Sequence, residues 1–159
     1  MKFKEFLLLM TFFIGLSCTK DPCAETICLN DGFCIDGSCY CQPWYTGSNC
    51  ENEQREQFYG QYSGLLQILD QNENVLATQS ISMTFSPGGA INLLTSSWGT
   101  QIELTSSGFS EFRFMPWYVS GANWSGSGYF SNDGNTVNCV GLVNEPGDLP
   151  FMWKFIANR

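Results

Sequence analysis

Six cysteines near the start of the chain constrain its fold more than any other feature. Their spacing is Cys23-x4-Cys28-x5-Cys34-x4-Cys39-x-Cys41-x8-Cys50. A segment this short cannot bury enough apolar surface to fold alone, so we expect its cysteines to be cross-linked in an oxidising compartment. The paired C-x2-C spacings of structural zinc sites are absent, so no metal is expected here. Spacing alone does not choose among the pairings that six cysteines allow.

The start of the chain has the layout of an export signal. Lys2 and Lys4 precede an apolar run from Phe6 to Leu16, and the small Ser17 stands before Cys18. The run is too short to cross a bilayer as a helix, which takes about 20 residues. The segment FIGLSC resembles the bacterial lipobox. That resemblance implies cleavage before Cys18 and a lipid on Cys18; ordinary secretion with a plain thiol is the alternative.

The residues between the cysteines resemble an epidermal growth factor-like module over Cys23–Glu51. CLNDGFC is similar to a turn of that family, and the ending Cys-x-Cys-x8-Cys with Tyr45 and Gly47 is similar to its last loop. The resemblance implies the disulfides Cys23–Cys34, Cys28–Cys39 and Cys41–Cys50. Trp44 departs from the family, which often has glycine before its aromatic residue. We expect no calcium here, because no acidic run precedes the first cysteine and Asp36-Gly37 predicts a tight turn.

Charge and composition exclude several function classes. The chain has seven basic and fifteen acidic residues, of which Lys2, Lys4 and Glu5 lie in the leader, so the remainder carries a net charge of −9. Nucleic acids and anionic lipid head groups need a basic surface, and neither is an expected partner. The chain has no histidine, which excludes Ser-His-Asp and Cys-His nucleophiles and the commonest general base. We therefore expect a protein that is not an enzyme.

After the polar segment Asn52–Gln57, a predicted linker, the sequence alternates between apolar and polar residues. Ile81, Met83 and Phe85 share one face of a strand, and FMWKF places Trp153 between two phenylalanines on another. This period of two is typical of sheets with one solvated face. Turn residues predict strands near 58–69, 75–85, 90–95, 100–105, 109–115, 122–131, 136–144 and 150–157.

These strands predict an all-β fold: an antiparallel meander of seven or eight strands that closes into a barrel, with a sandwich as the alternative. The domain loosely resembles lipocalin-like barrels, in which the first and last strands pair. The predicted domains are a signal peptide (1–17), a tether (18–22), the disulfide-rich module (23–51), the linker (52–57) and the β domain (58–159).

The carboxylates do not form an evident catalytic pair. Glu103 and Glu111 alternate with apolar residues and should face solvent, and the remaining acidic residues of the β domain fall mostly in turns. Asp70, Asn72 and Asn74 have calcium-loop spacing, but valine follows where an EF-hand loop needs glycine. A hairpin turn is the favoured interpretation. Cys139 shares a face with apolar residues, which predicts a buried thiol; a Cys18–Cys139 disulfide is the alternative if Cys18 carries no lipid.

Large aromatic residues beside glycine and serine are the candidate ligand-binding residues. They are Trp98, Trp117, Tyr118, Trp124 and Tyr129. Such rings stack on sugars or line apolar pockets, but they also plug the ends of small barrels. The sequence thus predicts a lipid-anchored, non-catalytic protein of the bacterial cell envelope, in the outer membrane, that binds a small apolar ligand or a glycan. The alternative is a protein-interaction or adhesion module with a filled barrel.

Overall fold

The computed structural model describes residues 20–105 and 110–159. It shows an all-β chain in which a small disulfide-rich module precedes a closed antiparallel barrel. The fold class predicted from the sequence is therefore confirmed, as a barrel rather than a sandwich. The leader, Cys18 and residues 106–109 lie outside the described residues, so cleavage and lipidation stay predictions.

The module contains two small sheets. Strands β1 (Phe33–Ile35) and β2 (Ser38–Tyr40) form a hairpin, and β3 (Tyr45–Thr46) pairs with β4 (Asn52–Glu53). Asp36 and Gly37, the two residues between β1 and β2, both have positive φ, 48° and 81°, as a type I′ turn requires. Asp36 is thus a turn residue.

Three disulfides hold this module together. They join Cys23 to Cys34, Cys28 to Cys39 and Cys41 to Cys50, which are the pairs that the resemblance implies. Trp44 has a φ of 78°, in the left-handed region that glycine adopts without strain. Its side chain packs against the barrel core, and its carbonyl accepts a hydrogen bond from Gln54 N at 2.8 Å. A residue that departs from the family pattern therefore connects the module to the barrel.

We expect reduction to unfold the module and leave the barrel folded. Each bridge closes a loop of about ten residues, for which chain-entropy models give roughly 2–4 kcal/mol. All three bridges join residues of the module, and the cysteine of the barrel, Cys139, is a free, buried thiol. The barrel therefore contains no bond that reduction would break. Near-ultraviolet circular dichroism and tryptophan fluorescence, recorded with and without dithiothreitol, check this. Loss of the barrel signals at the dithiothreitol concentration that unfolds the module would contradict it.

Eight strands within the described residues form the barrel. They are β5 (Gly60–Leu69), β6 (Val75–Pro87), β7 (Leu93–Ser96), β8 (Gln101–Leu104), β9 (Glu111–Val119), β10 (Ala122–Phe130), β11 (Thr136–Asn144) and β12 (Phe151–Asn158). Sequential neighbours pair antiparallel, and β12 pairs with β5 to close the sheet. The main difference from the predicted strands is β9, which continues beyond residue 115 to Val119.

A β-bulge explains both the length of β9 and the direction of its side chains. Phe114 lies opposite Gly126, and Trp117 lies opposite Trp124, so Met115 and Pro116 together face the single Ser125. Before the bulge the even-numbered side chains of β9, such as Phe114, face the interior. After the extra residue the odd-numbered ones do, so Trp117 also faces the interior. Thr100 donates a hydrogen bond from Oγ1 to the carbonyl of Met115 at 2.7 Å, which satisfies a bulge carbonyl.

The lower end of the barrel, where β5 begins, is sealed by the predicted linker. This segment forms a 3-10 helix over Gln54–Phe58, whose Arg55 is 7% exposed. The ring of Phe58 stacks on Phe130 with centroids 4.4 Å apart. Arg159 donates hydrogen bonds from the end of the chain to the carbonyls of Gln57 and Tyr59. The segment is therefore a packed plug between module and barrel.

Aromatic and aliphatic side chains fill the interior above this plug. The largest fully buried ones are Trp153, Tyr62, Phe85, Phe112, Phe130, Phe155, Met83, Leu94, Ile102 and Val137. Cys139 lies among them at 1% exposure, and burial raises the pKa of its thiol. The thiol is thus buried, as the sequence predicts.

Candidate functional site

The upper end of the barrel is open on one side because β7 and β8 are short. β6 pairs with β7 only at Phe85–Pro87, and β9 pairs with β8 only at Phe112–Phe114. Above these pairs, no strand of residues 20–105 or 110–159 lies between β6 and β9. The β7–β8 turn lies in this gap, where the indole nitrogen of Trp98 donates to the carbonyl of Ser82 at 3.2 Å.

A cavity of about 280 Å³ lies at this opening, which we call the mouth. Its lining residues are Leu66, Ile81, Trp98, Trp117, Val119 and Trp124. They come from β5, β6, the β7–β8 turn, β9 and β10. All six side chains are apolar or aromatic, so the mouth offers an apolar surface at the end of a filled barrel.

Trp153 forms an aromatic platform beneath the mouth. Its ring centroid lies 6.2 Å from those of Trp98, Trp117 and Trp124. Its indole nitrogen donates to the carbonyl of Ser125 at 3.0 Å, so the ring is fixed in position.

Two glycines make room for this indole. Gly126 and Gly141 lie opposite each other on β10 and β11, and Gly141 lies opposite Trp153 on β12. A Cβ at Gly126 would approach the Trp153 ring to 2.6 Å, which is too close for any side chain. The glycine-rich sequence of β10 therefore serves packing beneath the mouth rather than loop formation.

The structure brings together three of the five predicted aromatic residues. Trp98, Trp117 and Trp124 meet at the mouth, and Trp117 stacks on Trp124 with centroids 6.0 Å apart. Trp124 lies on β10, within the strand predicted near 122–131, and Trp117 lies on the part of β9 beyond the predicted strand end. Tyr118 and Tyr129 point outward and are 64% and 52% exposed, because each alternates with an inward-facing neighbour. Tyr129 lines a separate groove on the outer wall of the barrel.

Several mouth residues were not among the candidates. Ile81 begins the inward-facing series that the sequence identified, and Leu66 and Val119 also face the interior. Alternation alone could have placed Ile81 and Leu66 on the inner face. Val119 depends on the bulge, for which Pro116 was the available signal, since proline in a sheet favours bulges and edges.

The acidic side chains near the barrel ends form ion pairs or hydrogen bonds away from the mouth. Glu103 accepts a hydrogen bond from Arg113, the residue opposite it in the sheet, at 3.1 Å. Asp70 accepts hydrogen bonds from Asn72 and Asn74 within the β5–β6 turn, and the bonds from Asn74 lower its pKa. The favoured hairpin interpretation is thus confirmed.

Asp133 plays the same part in the β10–β11 turn. Its side-chain hydrogen bond with Ser131 is the largest cause that lowers its pKa to about 2, and hydrogen bonds from Asn135 add to it. Among the residues that the structure describes, no ionisable side chain lines the mouth. The site can therefore hold an apolar group by contact, with the indole N–H of Trp124 as a buried donor that has no acceptor among the described residues.

Residues 20–105 and 110–159 contain neither a metal-binding cluster nor a membrane-spanning helix. No three His, Cys, Asp or Glu side chains there lie close enough together to hold a metal ion. No helix in this part of the chain is long and apolar enough to cross a bilayer. The three disulfides indicate an exported protein, because such bonds persist in oxidising compartments.

No known family model matches the chain, and no curated protein is significantly similar to it in sequence.

Proposed function

We propose that the chain is an exported, non-catalytic binding protein whose mouth takes a small apolar ligand or the apolar end of a longer one. The observation that carries this proposal is the cavity of about 280 Å³ at which three tryptophans converge. Ligand pockets typically occupy roughly 300–1,000 Å³, so the mouth suits one ring or a short chain.

The lining favours an apolar ligand over a glycan. A sugar ring stacks on indole but also presents hydroxyl groups, which need hydrogen-bond partners when they leave water. Leu66, Ile81 and Val119 offer none, and within the described part of the chain the three indole nitrogens are the only polar side-chain atoms in the lining. That of Trp98 is already bonded to Ser82.

A lipid on Cys18 would anchor this barrel to the cell envelope. Lys2, Lys4, the apolar run and Ser17 support cleavage before Cys18, and the outer membrane is the proposed location. The intact mass of the membrane-extracted protein is expected to match a chain that starts at Cys18 and carries acyl groups. A mass that includes residues 1–17, or one without acyl groups, would withdraw the anchor and leave the binding site unaffected.

Binding at the mouth predicts that Trp117→Ala weakens capture of an apolar probe. N-phenyl-1-naphthylamine, an uncharged fluorophore, should brighten on binding to the wild-type protein. Removing one wall of the mouth should reduce its affinity about tenfold, the effect of roughly 1.4 kcal/mol of lost contact. Tyr118→Ala is the matched control, because Tyr118 is the next residue on β9 and points to solvent. Equal affinities for both variants would refute the site.

A protein-interaction role is the second candidate, and one observation favours it. Leu65, Val140, Leu142 and Ile156 are 42–53% exposed on the outer faces of β5, β11 and β12. These strands are adjacent, and Leu65 lies opposite Ile156. Lys154 lies opposite Val140 on the same face, so the outer wall here combines apolar side chains with one positive charge. If the probe fails to bind and Trp117→Ala only lowers stability, the mouth is a packed plug and this outer wall becomes the candidate surface.

A further inference from the structure

A groove on the outer wall of the barrel follows β10 and is separate from the mouth. Its volume is about 680 Å³. Ser127 lies between Arg113 on β9 and Val140 on β11, and all three line the groove. Because serine is much smaller than these two neighbours, their side chains rise on either side of it and form walls. Tyr129, the next outward residue on β10, also lines the groove and is 52% exposed.

Several polar side chains of this groove have no partner within the described part of the chain. The hydroxyl group of Ser127 and the amide of Asn138 make no hydrogen bond there, and Lys154 makes no ion pair. Arg113 bonds to Glu103 through its Nε, which leaves its two Nη groups for a ligand. The groove therefore presents hydrogen-bond donors and acceptors that a bound molecule can use.

The groove also concentrates positive charge in an acidic chain. The chain after its leader has a net charge of −9, and its β domain contains three basic residues. Two of them, Arg113 and Lys154, line this groove, and the third, Arg159, bonds to carbonyls at the lower end. Arg113 and Lys154 lie in one row across the sheet, three strand spacings or about 14 Å apart. A ligand that lies across β10 and β11 therefore has a positive group on each side.

We propose that this groove binds a glycan through an acidic sugar, a ring that carries a carboxylate. One face of a sugar ring is apolar and packs on an aromatic side chain such as Tyr129. The hydroxyl groups of the ring need hydrogen-bond partners when they leave water, and Ser127 and Asn138 supply them. The carboxylate forms charge-assisted hydrogen bonds with Lys154 or Arg113. This second site is independent of ligand binding at the mouth, whose lining is apolar.

A glycan fits the lining better than an acidic peptide does. Glu111 lies opposite Tyr129 and also lines the groove. Its carboxylate repels aspartate and glutamate side chains, whereas sugar hydroxyl groups donate hydrogen bonds to it. An acidic peptide also offers no ring face to Tyr129. Two cations, one carboxylate and one aromatic ring together favour a ligand that combines a carboxylate with several hydroxyl groups.

Isothermal titration calorimetry on the full chain, expressed with its own leader, tests this binding. The probes are trisaccharides of glucuronate, galacturonate and mannuronate, each at millimolar concentration. At least one is expected to bind, and its methyl ester, which keeps the rings but loses the charge, should bind about tenfold more weakly. A peptide of three glutamates carries as many carboxylates without sugar rings and should bind no better than the ester.

Tyr129→Ala and Lys154→Gln should each weaken binding of the acidic trisaccharide about tenfold. Both change exposed side chains, so the variants should remain folded. Tyr118→Ala and Lys20→Gln are the matched controls, because each removes an exposed side chain of the same type outside the groove. No binding of any probe, equal binding of the acid and its ester or peptide counterpart, or equal affinities of the groove variants and their controls would each overturn the proposal.

Discussion

Trp153→Ala is expected to lower the free energy of unfolding of the barrel by about 3–5 kcal/mol, the usual range for truncating a buried large aromatic residue. Trp153 is 1% exposed and lies edge-on to Phe114 at 5.4 Å. Its removal would leave a cavity beneath the mouth and free the Ser125 carbonyl from its donor. The two glycines that accommodate the indole, Gly126 and Gly141, have no side chains to fill that space.

Urea denaturation followed by far-ultraviolet circular dichroism measures this change. Tyr118→Ala is the control, because its ring is 64% exposed and surface substitutions usually change stability by less than about 0.5 kcal/mol. A Trp153→Ala protein that unfolds at the wild-type urea concentration would mean that the platform contributes no stability. Such a result would also mean that packing on Trp153 does not hold the three tryptophans of the mouth in position.

The strands could be predicted from sequence because two local signals agree. Alternation identified the inward faces, as for Ile81, Met83 and Phe85, of which the last two are 0% and 1% exposed. Turn chemistry set the limits, as Asp70 does between β5 and β6 with its hydrogen bonds to Asn72 and Asn74. Both signals act over a few residues, so one sequence suffices to detect them.

The position of the bulge and the gap in the barrel wall depend on contacts between distant residues and could not be predicted. Pro116 hints at a bulge in the sequence, but only the register of β9 against β10 shows that Met115 and Pro116 share one partner and that Trp117 therefore faces inward. The gap between β6 and β9 follows from how few residues β7 and β8 pair with their outer neighbours. The sequence therefore identified three of the tryptophans that line the mouth. It did not predict the mouth itself, because the position of the opening depends on the register of the sheet.

The burial of Arg55 is another feature that could not be predicted from the sequence. In sequence it belongs to the hydrophilic segment NEQREQ, and nothing there indicates burial. In the structure its Nη1 donates to the carbonyls of Ala90 and Leu93 at 2.6 and 2.8 Å, and its Nε donates to Glu53 at 2.9 Å. One guanidinium thus connects the segment after the module to the β6–β7 loop, and its carbonyl partners lie more than thirty residues away in sequence.

Arg55→Met should therefore destabilise the barrel by about 3 kcal/mol, since it removes the buried charged donor of two partly buried hydrogen bonds to carbonyls and leaves the partly buried Glu53 carboxylate without its partner. Methionine keeps much of the stem, so the change isolates the guanidinium. Arg113→Met is the matched control: its ion pair with Glu103 is exposed, and such pairs contribute at most about 1 kcal/mol. Urea denaturation of both variants measures the difference. Equal stabilities would show that water replaces the Arg55 donors, and the 3-10 helix would then seal the barrel through Phe58 alone.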